Sequence, residues 1–219
     1  MGRGYIAIEG RGEVKAIHNL ILRLWQDLGL AHLVWADPPL RPQAISTRAG
    51  VSKVCSLVRS RPDAEALLII RDADDDTDCP RQKGPETAEW IRSESLSFPC
   101  AIVLIRREYE TLFLPCLARM AGVPLRDDRN IERPGLKPGT VFDGDYEGKR
   151  DVKGWLSKHF PPGRIYKPTL DQLPMTRMIN FDDLRRSGLP SFGTLERALR
   201  FLNAARGQGL VYPDQPIKN

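Results

Sequence analysis

A glycine-flanked glutamate and a run of aspartates are the residues of this chain best suited to chemistry. Glu9 opens the stretch Glu9-Gly10-Arg11-Gly12-Glu13, and the apolar run 66–71 leads into Asp72, Asp74, Asp75, Asp76 and Asp78. Carboxylates crowded at neighbouring strand ends repel one another unless a positive charge sits between them. Oxygen donors of this kind suit a hard cation, Mg²⁺ or Mn²⁺. Glu9, Asp72 and Asp74 are the candidates to converge on one ion. Gly10 and Gly12 keep the turn free of side-chain bulk, so a phosphate can approach the N-terminus of the helix that follows. The bland alternatives are a solvated acidic loop and, for Glu13, a first-turn acid that complements the helix dipole.

Two other acidic-loop chemistries fail on the letters. A calcium-binding EF-hand starting at Asp72 needs Gly sixth and Glu twelfth, where this chain has Thr77 and Lys83. An aspartate-nucleophile phosphatase of the haloacid dehalogenase type has its DxD strand first, closely followed by a Gly-Thr step. Here the strand comes third and the step is missing.

The carboxylates can meet only if the strands that carry them lie side by side. Strands are expected at 4–8, 32–36, 66–71 and 100–105, with helices at 13–28, 49–60, 85–97 and 108–120 between and after them. That alternation predicts an α/β fold with a parallel sheet of about four strands flanked by helices, in which ligands gather at the C-terminal strand ends. Residues 1–120 are expected to form the metal-binding domain. Residues 121–150, rich in Gly, Pro and Asp, are read as an irregular insertion. Residues 151–219 are read as a helical extension on the same domain, with helices at 151–159, 169–177, 180–187 and 191–206 and a loose tail from Tyr212.

The formal net charge is +5, yet residues 61–99 hold 5 basic and 10 acidic side chains. Basic flanks around an acidic island suit a polyanion bridged by a divalent cation. Four scattered cysteines with no CxxC spacing read as free, mostly buried thiols, and the three histidines do not pair with them as zinc ligands. No apolar run is long enough to span a bilayer, and the first residues lack a secretory h-region, so a cytoplasmic protein without a membrane partner is expected.

Strand, EGxGE, helix, then an apolar strand ending in DxD resembles a TOPRIM domain, the metal fold of topoisomerases and primases. The blocks EGRGEVKAIHNLILRL, LLIIRDADDDTDCP, RREYETLFL, RDVKGWL and YKPTLDQLPMTRMINFDDLRRSGLPSF extend the likeness over residues 4–202. They resemble the small stand-alone TOPRIM-like prokaryotic proteins filed as a domain of unknown function, related to the TOPRIM domains of OLD-family (overcoming-lysogenization-defect) nucleases. The resemblance implies a TOPRIM-like, Rossmann-like fold. It makes Glu9 a metal ligand or general acid/base, and Asp72 and Asp74 the DxD ligands. Glu13 and Asp76 match further acidic positions where a second ion binds. Glu108 and Glu110 are candidates for that ion, with Glu110 preferred because related nuclease domains carry a glutamate there.

Within RDVKGWL, Lys153 is expected to reach the carboxylates from outside and stabilise the phosphate transition state, held there by Asp151. Lys167 is its rival. Arg71, Arg106 and Arg107 flank the strand ends and are candidates to hold nucleic-acid phosphates, as is Lys167. Trp155 and Trp90 read as core residues. The expected activity is Mg²⁺- or Mn²⁺-dependent phosphodiester hydrolysis of DNA or RNA, with one or two ions. By the same resemblance the chain would be an effector in anti-phage defence beside a separate ATPase subunit. The alternative is a TOPRIM-like module that binds nucleic acid or an ATPase without cleaving anything.

Overall fold

The computed structural model describes residues 2–10, 13–74 and 77–214, with Glu13 described by its backbone alone. The chain runs β1 (Arg3–Ile8), α1 (Glu13–Asp27), β2 (Val34–Trp35), α2 (Arg48–Arg59), β3 (Ala64–Ala73), α3 (Pro80–Ser93) and β4 (Cys100–Arg106). A 3-10 turn (Tyr109–Cys116) leads into the short α4 (Leu117–Met120) and a hairpin of β5 (Leu125–Arg126) and β6 (Glu132–Arg133). The C-terminal region adds α5 (Val152–His159), a π turn (Pro168–Gln172), α6 (Leu173–Met178), α7 (Phe181–Ser187), α8 (Pro190–Ala204) and β7 (Val211–Tyr212).

The fold is α/β and Rossmann-like: a five-stranded parallel sheet in the order β2-β1-β3-β4-β7, covered by helices on both faces, with a helical C-terminal region. β1, β3 and β4 are continuous apolar runs because both of their faces are covered. Successive side chains alternate between two cores. Ile6, Ile8, Leu68, Ile70, Val103 and Ile105 pack with α1 and α8, while Ala7, Leu67, Ile69, Ile102 and Leu104 pack with α2 and α3. Leu156, Phe160, Met175 and Phe192 from the C-terminal region enter the first of these cores. No helix among the described residues is long and apolar enough to cross a membrane.

Four elements depart from the sequence expectation. Val211 and Tyr212 form a fifth strand, where a loose tail was expected from Tyr212 onward. Helix α3 starts at Pro80, not near residue 85, because proline is well placed in a helix's first turn where its missing N–H costs nothing. Residues 109–116 are 3-10 rather than α-helical, with Pro115 inside the segment and almost every side chain buried. The 121–150 stretch contains the β5–β6 hairpin. All four cysteines are free, three of them buried.

Candidate acidic site at the C-terminal strand ends

Parallel pairing brings the chemistry to one edge of the sheet. Ile8 pairs with Ile70 and Asp72 with Ile105, so Glu9, Asp72–Asp74 and Arg106–Glu110 all follow the C-terminal ends of adjacent strands. Glu9 is exposed directly after β1, Asp72 is half-buried at the end of β3, and Asp74 is exposed just beyond it. Asp76 and the Glu13 side chain lie outside the described residues, although Glu13 does open α1. Among the described residues no group of three or more His, Cys, Asp or Glu side chains has the geometry to hold a metal ion.

After β4 the backbone turns sharply at Arg107, whose φ is +70°, a left-handed conformation that non-glycine residues seldom adopt. The Arg107 N–H still donates to the Ala73 carbonyl at 3.0 Å, and its guanidinium reaches the Asp74 carbonyl at 3.4 Å. This turn sends Glu108 and Glu110 inward, with exposures of 8% and 0%.

Helix α5 supplies the counter-charge. Asp151 caps it, accepting from the Gly154 N–H at 2.9 Å. The Glu108 carboxylate accepts from the Val152 N–H at 2.6 Å, a second anion at the positive end of the helix. Lys153 lies between the two capped residues, Val152 and Gly154, and its Nζ stands 2.9 Å from Glu108 and 3.4 Å from Glu110. Trp155 anchors the same helix, packing edge-on against Phe142 at 5.5 Å and stacking on His159 at 3.9 Å.

Tyr166 and Gln172 enclose Glu110. The Tyr166 hydroxyl donates to Glu110 Oε1 at 2.8 Å and the Gln172 amide donates to the same oxygen at 3.1 Å. Asp171 holds the Tyr166 turn by accepting from the Lys167 N–H at 2.8 Å and pairing with Arg164 at 2.6 Å. Burial pushes the Glu110 carboxyl up to about 7, against the pull of Lys153 and the Tyr166 hydrogen bond. Burial works against the charge on Lys153, but Glu110, Glu108 and Asp72 outweigh it and hold its pKa well above the ordinary value. Burial also raises Asp74, with Lys153 pulling it down and Glu108 and Asp78 pushing it up. Asp72, Asp74, Glu108 and Glu110 thus all act on one lysine.

Glu110, a candidate for the second ion, is fully buried and faces Tyr166, Gln172 and Lys153. Arg71 does not present itself to nucleic acid. It is 3% exposed and grips Asp78 with both guanidinium arms, one at 2.7 Å, pinning the acidic loop to its own strand. Lys167 is exposed, and no contact joins its side chain to the carboxylates among the described residues. Arg106 is half-buried beside α8, its N–H donating to Ser191 Oγ at 2.9 Å. The roles of Tyr166 and Gln172 were not anticipated, although both lie in the YKPTLDQL block.

A parallel α/β sheet with carboxylates and one lysine at its C-terminal edge defines a class of strand-end ligand site. The profile of one family, the Domain of unknown function (DUF4276), matches residues 8–200, and the chain belongs to that family. No curated protein and no solved structure matches the chain significantly.

Proposed function

We propose that the protein is a Mg²⁺- or Mn²⁺-dependent nuclease with a TOPRIM-like acidic site. The observation that carries this reading is the position of Lys153, which pairs with Glu108 and Glu110 beyond β4 and lies within electrostatic reach of Asp72 and Asp74 at the end of β3, about 80 residues away in sequence. Asp72 and Asp74, with Glu9, would hold the cation through hard oxygen donors, and Glu13 and Asp76 join them by resemblance. The cation would supply Lewis acidity and lower the pKa of an attacking water. Lys153 places a fixed positive charge beside the site, where a phosphodiester's developing negative charge is stabilised. Glu108 and Asp151 orient α5 so that this charge stays in place. The resemblance extends the reading to an effector of anti-phage defence that works beside a separate ATPase.

The test is incubation of the purified protein with plasmid DNA, single-stranded DNA and tRNA, with Mg²⁺ or Mn²⁺, and with or without EDTA. Cleavage that EDTA and Asp72→Ala/Asp74→Ala both abolish is the expected result. Absence of cleavage on all three substrates overturns it. The alternative is a TOPRIM-like module that binds nucleic acid without cleaving it. Retention of nucleic acid without cleavage in the same assay is the signature of that alternative.

A further inference from the structure

The two flanks of the sheet are finished differently. Beyond β2, residue Leu40 continues the cover of β1, exchanging hydrogen bonds with Ile6 and Ile8 at 2.7 and 3.0 Å. At the other flank β7 pairs only with Cys100 and Ala101 and stops at Pro213, which has no N–H to offer. β4 runs on to Arg106, so among the described residues no strand pairs with 102–106 on that side.

Cys100 and Arg106 both send their N–H groups to this flank, to Leu210 and Ser191. The two-residue alternation of a strand turns the backbone groups of Ile102 and Leu104 the same way. A cavity of about 660 Å³ lies along this stretch, lined by Ile102, Leu104 and Arg106 and flanked by the first turns of α3 and α8. An unpaired strand edge is a template for another strand, and folded proteins normally cover it.

The helix α3 leaves the slot open. Gly84 lies in the helix interior, where glycine costs about 1 kcal/mol relative to alanine. Among the described residues nothing lies within 4 Å of where its Cβ would be, so their packing does not demand glycine there. A bare backbone on the slot wall admits close approach by another backbone. The charged lining is Arg81, Arg106 and Arg197 against the single Glu147, and Glu147 already accepts from the Ser191 N–H at 2.7 Å. Among the described residues Arg197 bonds neutral oxygens, those of Tyr212 and Thr194, which do not neutralise its charge.

We propose that the free edge of β4 takes up an extended acidic segment of a partner protein as an added strand. Main-chain hydrogen bonds from Ile102 to Arg106 supply the affinity, and the three arginines select acidic side chains. The inference does not depend on nuclease activity.

Fluorescence anisotropy with labelled short peptides tests it. One peptide alternates valine with glutamate, a second replaces the glutamates by lysine, and a third carries a central proline. The full chain is expected to bind the first, and to bind the other two at least about tenfold more weakly. Gly84→Leu has room for its Cβ and favours the helix, so it should fold at least as well as the wild type while losing the peptide. Arg81→Glu/Arg197→Glu should lose it too. Equal binding of the proline peptide, binding that Gly84→Leu leaves intact, or no binding of the acidic peptide would each overturn the proposal. So would a labelled oligothymidylate that occupies the slot in place of the peptide, or a dimer in light scattering that Gly84→Leu dissolves.

Discussion

Asp72 and Asp74 on one side, and Glu108 and Glu110 on the other, stand at the ends of neighbouring strands and are treated in opposite ways. The glutamates are buried and meet a lysine, one backbone N–H at the start of α5 and two side-chain donors. Asp72 is half-buried and Asp74 exposed, while the Arg71 guanidinium pairs with the Asp78 carboxylate. The glutamates therefore behave as part of the scaffold that aims Lys153, while Asp74, the more exposed of the two aspartates, faces solvent. A buried charge is costly to strip of its partner, whereas an exposed one is cheap to change.

Stability measurements can break that contrast. Glu110→Ala removes a buried charge from Lys153 and leaves the Tyr166 hydroxyl and Gln172 amide without their acceptor. A loss of about 3 kcal/mol in urea unfolding is expected, at the low end for a broken buried pair because Lys153 keeps Glu108 and partial solvent. Asp74→Ala is expected to change stability by less than about 0.5 kcal/mol. Similar losses in the two variants would erase the distinction between scaffold and site.

Lys153→Met is expected to cost less, about 2 kcal/mol, since the lysine is 40% exposed and solvent already screens part of its attraction. Glu110 can also escape its lost partner by taking up a proton. In the double variant Glu110→Gln/Lys153→Met neither charge is stranded, so its loss should fall short of the sum of the single losses by about 1 kcal/mol. Strict additivity in a double-mutant cycle would show that the two side chains do not interact.

The pH dependence sharpens the same point. Glu110 has a folded-state pKa of about 7 against an ordinary value of 4.5, so the folded chain binds the extra proton. Its contribution to stability is fully present below about pH 4.5 and is lost as pH rises to 7, with a slope of at most about 1.4 kcal/mol per pH unit. Glu110→Gln should flatten the wild-type decline over that window. An unchanged decline would place its source in another group.

The apolar runs of β1, β3 and β4 announced a covered parallel sheet, and the sheet put Glu9, Asp72 and Glu108 at one edge without further help. A two-residue strand such as Val211–Tyr212 has no period to read, since its pairing with β4 is decided by tertiary contact. Helix α3 begins five residues before the expected 85, at Pro80, and carries Pro85 in its interior. Lys153 near the carboxylates was expected from RDVKGWL. The burial of Glu110 was not, because the residues that make burial tolerable, Tyr166 and Gln172, come from 56 and 62 positions away. A glutamate next to arginines and a tyrosine looks the same in sequence whether it faces water or a lysine.

The smallest expected effect concerns the aspartates and their cation. On the proposed reading Asp72 and Asp74 hold Mn²⁺ in the folded chain only. Mn²⁺ at ten times its Kd should then raise the unfolding free energy by about 1.4 kcal/mol. Asp72→Asn/Asp74→Asn should abolish that gain while leaving the metal-free protein at least as stable as the wild type. The reason is that burial and neighbouring carboxylates raise the Asp74 pKa, so its negative charge is disfavoured in the folded state. Removing that charge relieves repulsion worth a few tenths of a kcal/mol after screening by solvent. Thermal melts with and without Mn²⁺ separate the two contributions. If the wild type and the double variant shift equally with Mn²⁺, the ion binds elsewhere. Asp72 and Asp74 would then belong to a solvated loop beside the lysine held by its glutamates.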